Sequence, residues 1–211
     1  MNAHRQGTAR LLVVVLAIAL GAALTTVAAP AQARGKVAYL TLDDGPSRHT
    51  PAVLKVLRKQ GATATFFQLG SERRRYPRAA AAIRRQGSNI GNHTYGHRKL
   101  TSLRSAAVRR EVRGGPPSRC VRPPYGATNA RVRTVIASMG KRSVLWSADS
   151  RDWTRPGVDA IVRNSLKGLH NGSIILMHDG GGDRSQTVRA LPKLITALKK
   201  RGYAVWALPY C

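Results

Sequence analysis

A regular alternation of strand-like and helix-like segments runs from Lys36 to the C-terminus, and it constrains the fold more than any other feature. Short β-prone apolar runs alternate with segments whose apolar residues recur at helical spacing. The pattern predicts seven strands, at 37–42, 63–69, 89–92, 120–122, 143–148, 173–177 and 203–208. It also predicts six helices, at 51–60, 77–86, 102–112, 130–139, 158–169 and 187–200. Such alternation is typical of parallel strands joined by helical crossovers.

Two α/β architectures fit this pattern, a doubly wound open sheet and a TIM-like barrel. The strands are continuous apolar runs, as expected when helices cover both faces of a parallel sheet. No glycine-rich dinucleotide loop follows the first strand, which weighs against a Rossmann domain. A length of 211 residues suits a single domain.

The N-terminal segment has the organisation of a signal peptide. Arg5 and Arg10 precede the apolar run Leu11–Ala29, and Ala31-Gln32-Ala33 has the small-x-small pattern of a signal-peptidase site. We therefore expect a signal peptide at 1–33, a mature domain at 34–211 and a secreted or cell-wall-associated protein. An uncleaved membrane anchor is the alternative, because the apolar run is long enough to span a bilayer.

The charge is strongly unbalanced, with 36 Lys and Arg against 9 Asp and Glu and a formal net charge of +27. Nucleic acid is the usual partner for such a charge, but no nucleic-acid motif is present and the expected export argues against it. An anionic polymer of the cell envelope is the better candidate partner. The alternative is a solvated cationic surface with no specific partner.

The few acidic residues and histidines fall where predicted strands end. These clusters are Asp43 and Asp44, His93 and His97, Arg122 and Tyr125, Asp149 and Asp152, and His178 and Asp179. In barrels and open parallel sheets, the carboxyl ends of the strands carry the active site. The clusters are therefore expected to meet at one rim.

Two of these clusters supply the parts of a metal site with positions left open for water. His93 and His97 can direct two imidazoles at one ion, and a carboxylate from Asp43 or Asp44 can complete the set. The other carboxylate is then free to accept a proton from water. His178 is a candidate general acid, and Asp152 is available to orient it. Singly, each cluster is equally compatible with loop histidines and turn-capping aspartates.

Five short motifs resemble those of the polysaccharide deacetylases, carbohydrate esterase family 4, with its NodB homology domain. In the family's order they are Thr41-Leu42-Asp43-Asp44-Gly45-Pro46, His93-Thr94-Tyr95-Gly96-His97, Arg122-Pro123-Pro124-Tyr125, Asp149-Ser150-Arg151-Asp152-Trp153 and Leu176-Met177-His178. The resemblance covers residues 36–208. It implies a distorted (β/α)7-type TIM-like barrel, with fewer than eight complete units.

The resemblance also implies a role for each motif residue. One divalent metal ion, Zn²⁺ first and Co²⁺ or another divalent ion as alternatives, is expected on Asp44, His93 and His97. Asp43 is expected to be the base, His178 the acid and the Tyr125 N–H a donor to the oxyanion. Arg122 and Asp152 are expected to orient Asp43 and His178. Tyr125, Trp153 and Leu176 are expected to contact the substrate, the last two around the acetyl methyl group.

Two further expectations concern the connection before Arg122 and the cysteines. Only residues 113–121 separate the predicted third helix, at 102–112, from Arg122, about ten fewer than the family usually has, so the crossover is expected to cover the barrel poorly. Cys120 and Cys211 are the only cysteines, and export predicts a disulfide between them. Two free thiols are the alternative.

The leading functional hypothesis is a secreted, monomeric, metal-dependent carbohydrate de-N-acetylase, a hydrolase of non-peptide C–N bonds. Peptidoglycan is the favoured substrate, and a chitin-like glycan is the second. An O-acetyl esterase such as an acetylxylan esterase would use the same machinery. A non-catalytic glycan-binding module and a cationic wall-adhesion protein are the alternatives without catalysis.

Overall fold

The structure, a computed structural model, describes Met1 and residues 35–211. The predicted signal peptide therefore lies outside the described residues, apart from Met1. Among the residues that are described, no helix combines the length and apolarity needed to cross a membrane.

Residues 35–211 alternate between strands and helices, as predicted. The strands are β1 (Lys36–Asp43), β2 (Thr65–Gln68), β3 (Asn89–Asn92), β4 (Cys120–Val121), β5 (Arg142–Ser143), β6 (Ala148–Asp149), β7 (Ser173–His178) and β8 (Tyr203–Trp206). The helices are α1 (Thr50–Lys59), α2 (Gly70–Arg75), α3 (Pro77–Arg85), α4 (Ser105–Gly114), α5 (Ala130–Ala137), α6 (Val158–Leu166) and α7 (Ser185–Lys200). Short 3₁₀ turns at Leu100–Ser102, Pro124–Gly126 and Asp152–Thr154 follow β3, β4 and β6.

All strand pairs in this part of the chain are parallel, in the order β5-β4-β3-β2-β1-β7-β6. The last strand, β8, pairs with the first half of β1, beside the point where β2 pairs with its second half. The sheet is the curled, incomplete barrel that the resemblance predicts, and the predicted fold class is confirmed.

The predicted strand at 143–148 is wrong as a single element. It is two short strands, β5 and β6, which lie at opposite ends of the sheet order. The intervening Val144–Ser147 crosses between them. Arg122 donates to the main-chain carbonyl of Leu145 and lies beside the ring of Trp146, while the Leu145 side chain is exposed. The short helix α2 was not predicted either, because its six residues include three consecutive arginines and show no apolar residues at helical spacing.

The main core lies between the central strands and helices α1, α6 and α7. Leu40, Leu42, Phe66, Ile175 and Met177 from the strands are fully buried in it. A second apolar cluster joins α4 and α5 to β4 through Val108, Val112, Val121 and Ile136.

This second cluster corrects the expectation about the short connection. Helix α4 covers the sheet despite the shortened segment, because Asn92 at the end of β3 fastens it. The buried Asn92 Nδ2 donates to the carbonyls of Val112 and Pro116, both at 2.8 Å. Gly115 allows this close approach, since a Cβ there would lie 2.5 Å from Asn92 Oδ1.

The predicted disulfide is present. Cys120 in β4 is bonded to Cys211 at the C-terminus, with a Cα–Cα distance of 5.3 Å. Phe67, Val144 and Leu208 pack around the bond. The C-terminus is thereby held against the strand that precedes Arg122.

Candidate active site

The carboxyl ends of the strands surround a cavity of about 460 Å³. It is lined by Asp43, Asp44, His93, His97, Tyr125, Trp146, Asp149, Trp153, Leu176 and His178. Loops that follow β1, β3, β4, β6 and β7 are thus brought to one place, although they are far apart in the sequence. The predicted meeting of the clusters at one rim is what the structure shows.

Asp44, His93 and His97 form the one group in the described chain that offers three clustered metal-ligand atoms, all within 4.8 Å of one another. Asp44 Oδ1 lies 3.3 Å from His93 Nε2 and 3.1 Å from His97 Nε2. Neither contact has hydrogen-bond geometry, so this buried oxygen has no hydrogen-bond partner among the described residues. A buried carboxylate oxygen without a partner is costly unless a cation completes it.

The surroundings of these side chains also fit a metal ion. His93 Nδ1 lies 2.7 Å from the carbonyl oxygen of Arg122, which can only accept. Nδ1 must therefore carry the proton, and Nε2 is left to face Asp44 as a ligand would. Burial by itself raises the pKa of Asp44, but the close imidazoles of His93 and His97 outweigh it and hold this pKa well below its usual value.

Asp43 is held by a fully buried arginine. Arg122 Nη1 donates to Asp43 Oδ1 at 2.7 Å and to Thr41 Oγ1 at 2.8 Å. Its Nη2 donates to the carbonyl of Leu145 at 3.0 Å, and its Nε donates to the carbonyl of Val144. Because these bonds fix the guanidinium, Asp43 has one oxygen anchored while Oδ2 lies 3.8 Å from His93 Nε2, beside the metal ligands.

Aromatic rings complete the enclosure of Arg122. The guanidinium carbon lies 4.1 Å from the ring centroid of Phe67 and 5.6 Å from that of Trp146. Cation–π contacts of this kind stabilise a desolvated guanidinium. The whole assembly makes Arg122 a rigid support for Asp43.

On strand β7, next to β1, His178 is the register partner of Asp43 and forms the predicted pair with Asp152. His178 Nδ1 lies 2.7 Å from Asp152 Oδ1, and the backbone N–H of His178 donates to Oδ2 at 2.9 Å. Thr187 Oγ1 also donates to Oδ2. Burial lowers the pKa of His178, but the hydrogen bond and charge of Asp152 outweigh burial and raise it to about 9. Burial in turn raises the pKa of Asp152, and the bonds from His178 and Thr187 outweigh that to lower it.

The three predicted substrate contacts line the mouth and wall of the cavity. Tyr125 and Trp153 are 68% and 53% exposed, so their rings are open to a polymer, whereas Leu176 is buried in the wall. The ring of Tyr125 meets His97 edge-on, with centroids 4.5 Å apart. Their assigned roles toward the acetyl group stay predictions.

Strained backbone is concentrated around the cavity. The non-glycine residues of the described chain with positive φ are Asp44, Thr94, His97, Tyr125, Arg151 and Arg155. All of them lie in the loops at the carboxyl ends of β1, β3, β4 and β6. Such conformations cost about 1–3 kcal/mol each and are typical of functional sites, where the surrounding structure holds them in place.

Known proteins resemble this chain both in sequence and in fold. The family model described as "Polysaccharide deacetylase" matches residues 31–144. The chain belongs to the polysaccharide deacetylase family. This membership confirms the expected enzyme class, a hydrolase of carbon–nitrogen bonds other than peptide bonds.

Individual relatives of the family cover most of the chain. A peptidoglycan-N-acetylglucosamine deacetylase of Bacillus cereus is 39% identical over 179 residues, 80% of this chain and 84% of the relative. A chitooligosaccharide deacetylase of Sinorhizobium fredii is 40% identical over 192 residues, 81% and 89% of the two chains. The family 4 carbohydrate esterase from Streptomyces lividans, solved with acetate, superposes with a TM-score of 0.75 at 36% identity, covering 82% and 92%.

Four residues near the site were missed or given no role by sequence reasoning. Trp146 lies in the middle of a wrongly predicted strand, and Asp149 is part of the fourth motif but was given no role. Asp179 is fully buried beneath Gly45, and burial raises its pKa to about 7. Arg184 is buried behind Asp44 and resembles any other of the many arginines in the sequence. No local sequence signal distinguishes these positions, because their place beside the site depends on how distant segments meet in the fold.

Proposed function

We propose that the protein is a secreted, metal-dependent de-N-acetylase of a cell-wall glycan, with peptidoglycan favoured over a chitin-like chain. One observation carries the proposal: a single cavity joins an Asp44–His93–His97 ligand set to a fixed carboxylate and to a charged-histidine pair. Those are the parts needed to activate water and to protonate a leaving amine.

Asp44, His93 and His97 would hold the ion. One carboxylate and two imidazoles suit Zn²⁺, while Co²⁺ and other divalent ions accept the same donors. A bound divalent ion would supply Lewis acidity, lowering the pKa of water and polarising the acetyl carbonyl. The remaining chemistry belongs to the side chains of this chain.

Asp43 is proposed as the base. Its anchored Oδ1 cannot turn away from Arg122, so Oδ2 stays directed into the cavity and takes the proton of the attacking water. The new C–O bond forms at the acetyl carbon, and the Tyr125 N–H donates to the oxygen that becomes negative.

His178 is proposed as the acid. With a pKa of about 9 it is protonated at neutral pH, and its Nδ1 is committed to Asp152, which leaves Nε2 for the substrate. Transfer of that proton to the amide nitrogen breaks the C–N bond and releases the amine and acetate. Proton exchange with solvent then restores Asp43 and His178.

The substrate is tested by acetate release from three polymers. The zinc-loaded mature protein is incubated with peptidoglycan, an N-acetylglucosamine oligomer and acetylated xylan, and acetate is measured alongside free amines. We expect acetate with stoichiometric amine from peptidoglycan, and less from the oligomer. Acetate from xylan alone would favour the O-acetyl esterase, and no acetate from any polymer, with metal bound, would favour the glycan-binding or adhesion alternatives.

A basic face supports an anionic envelope polymer as a second partner. Helix α3 packs against α1 and α2, and together the three carry Lys55, Arg58, Lys59, Arg73, Arg74, Arg75, Arg78, Arg84 and Arg85. Glu72 is the one acid in these helices. Binding to a poly(glycerol phosphate) chain should weaken steeply with salt. Neutralising Arg74, Arg78 and Arg85 with glutamine should weaken it, whereas neutralising Arg133, Arg163 and Lys167 serves as the matched control.

Secretion and a monomeric state are proposed on two separate grounds. The Cys120–Cys211 bond favours an oxidising compartment. Every residue of the proposed site comes from one chain, so a monomer is sufficient for catalysis. Analytical ultracentrifugation of the mature protein tests the second point, and the N-terminal residue of the exported protein tests the first.

A further inference from the structure

Gly180 and Gly181, in the loop after β7, form a wall behind Asp44. Gly181, at φ +71°, lies so close to the Asp44 carboxylate that a Cβ on it would be 2.4 Å from Oδ2. Gly180 approaches the main chain of Asp44 equally closely, since a Cβ there would lie 2.1 Å from its carbonyl oxygen. Oδ2 is therefore backed by glycine while Oδ1 faces the two histidines.

Arg184 fastens this wall. Its Nε donates to the carbonyl of Gly180 at 2.6 Å, its Nη2 donates to that of Gly181 at 2.8 Å, and its Nη1 lies 3.4 Å from that of Asp183. The side chain is buried, and it has no carboxylate partner among the described residues. A buried guanidinium that bonds only to carbonyls of one glycine-rich turn fixes the shape of that turn.

The backbone couples the wall to Asp44. The N–H groups of Asp179 and Gly180 both donate to the carbonyl of Asp43, at 3.1 and 3.2 Å. Asp44 itself has φ +69°, a strained conformation that its surroundings must hold. A shift of the Gly180–Gly182 turn would therefore release both the main chain and the carboxylate of Asp44.

We propose that Arg184 is a positioning residue for the proposed metal site: through the Gly180–Gly181 turn it holds the Asp44 carboxylate in the orientation that binds the ion. Arg184 contacts neither the substrate cavity nor the reacting atoms, so its effect is on metal affinity first. Groups that orient metal ligands typically contribute a factor of about 10–100 in affinity. The inference rests on the proposed function, since it requires a metal on Asp44.

The experiment measures metal affinity directly. Zinc dissociation constants are obtained by competition with a chromophoric chelator for wild type, Arg184→Met, Arg184→Lys and Arg189→Met, and the absorption spectrum of the Co²⁺ form is recorded for each. We expect zinc binding to weaken about 10–100-fold in Arg184→Met, with a changed Co²⁺ spectrum. Arg184→Lys should recover part of the loss, because an ammonium still donates to a carbonyl. Arg189, exposed on the same helix, is the matched control and should leave both readouts unchanged.

A purely structural role gives a different result. In that case Arg184→Met lowers the unfolding temperature of the metal-free protein but binds zinc as tightly as wild type, which overturns the proposal. If wild type itself binds no metal, the proposed metal site fails first, and this inference falls with it.

A pair of glycine variants keeps the test available if Arg184→Met does not fold. Gly181→Ala and Gly140→Ala carry similar backbone strain, because the two glycines have φ of +71° and +69°. Only the Gly181 side chain would strike the carboxylate, since a Cβ on Gly140 meets nothing within 4 Å. Weaker zinc binding in Gly181→Ala alone supports the wall, and equal binding in the two variants contradicts it.

Discussion

At the scale of single residues, the proposed acid His178 and its partner Asp152 are expected to set the alkaline limit of the reaction. Asp152 uses both oxygens, one on the His178 ring and one on its backbone N–H and Thr187. The pair keeps the imidazole charged up to about pH 9, because that is where the raised pKa of His178 lies. An acid must hold its proton before the leaving group departs, so activity should fall above this pH.

Replacing Asp152 by Asn should move the alkaline limb of kcat/KM toward neutral pH by about one pH unit or more. The substitution removes the negative charge that favours the imidazolium, and the pKa of His178 falls toward the value that burial alone would give. Thr187→Val is the control, since it removes one hydrogen bond to Asp152 and keeps the charge. An alkaline limb that stays in place in Asp152→Asn would rule out the pairing as the source of the acid.

Asp43 and Asp44 are adjacent in the sequence but have different partners. Asp43 is bonded to Arg122, whereas Asp44 faces His93 and His97. Asp43→Asn should retain bound zinc and lower kcat by about 10²–10⁴, since the amide keeps the shape but cannot accept a proton. Bound metal and unfolding temperature are measured on the same sample, because the substitution also leaves the buried Arg122 without its anion. Near-normal kcat in the metal-loaded variant would show that another group is the base.

The predicted site residues were identifiable because acids and histidines are rare in this chain and fall just after strands. His93, Asp44 and Asp152 could be placed at one rim for that reason, whereas the choice of Asp44 over Asp43 as a metal ligand came from the family resemblance. Trp146 and Arg184 could not, because a tryptophan beside a strand or one arginine among many has no distinguishing local pattern. Trp146 is placed by its contact with Arg122, and Arg184 by its bonds to the Gly180 and Gly181 carbonyls behind Asp44, which only the folded chain provides.

At the scale of elements, the hydrophobic periodicity predicted the order of most strands and helices, and a glycine with positive φ follows α1, α3, α5 and α7 within three residues, at 61, 87, 140 and 202. The periodicity failed between 143 and 148, where only Val144 and Ala148 are buried and each is buried in a different cluster. Val144 packs beside the disulfide. Ala148 belongs to the main core, in the strand at the other end of the sheet order. A pattern of burial cannot tell which partner buries a residue.

The short connection after α4 depends on one side chain, so it gives a prediction at this scale. Asn92 makes three buried hydrogen bonds, one to the Val112 carbonyl in α4, one to the Pro116 carbonyl in the connection and one from the N–H of Thr94. Asn92→Ala should lower the free energy of unfolding by about 2–4 kcal/mol, because these buried groups lose their partner. Urea denaturation measures the change.

Asn164→Ala is the comparison for that measurement. Asn164 is partly buried and donates one longer bond, 3.2 Å to the carbonyl of Ser150, so its replacement should cost less than about 1 kcal/mol. Equal losses in the two variants would mean that Asn92 does not fasten the connection, and that the packing of α4 on α5 holds it instead.

At the scale of the whole molecule, more than half of the acidic side chains are buried or largely so, most of them in or beside the candidate active site. Asp43, Asp152, Asp179 and Glu111 are buried and Asp44 is largely so, which leaves few acids on the surface to offset the cations. The described ion pairs of lysine or arginine are those of Arg122, Arg155 and Lys193. The exterior is cationic as a consequence, whatever polymer it meets.

The Cys120–Cys211 bond acts at the same scale, since it closes a loop with a sequence separation of 91. By the chain-entropy argument, closing a loop of this length stabilises the fold by about 4–5 kcal/mol. For a domain of this size, that corresponds to an unfolding temperature about 10–20 °C lower in the reduced protein than in the oxidised one. Scanning calorimetry with and without a reductant measures the difference.

Alkylation of the unreduced protein separates this prediction from the free-thiol alternative. Cys120 is fully buried, so the protein is unfolded in denaturant with excess iodoacetamide before mass spectrometry. Protein exported with its native N-terminal segment should take up no label, whereas protein made in a reducing cytoplasm should take up two. Two labels on the exported form would exclude the bond in the mature protein. It would also remove the support that the bond gives to secretion, while the catalytic cavity would be unaffected.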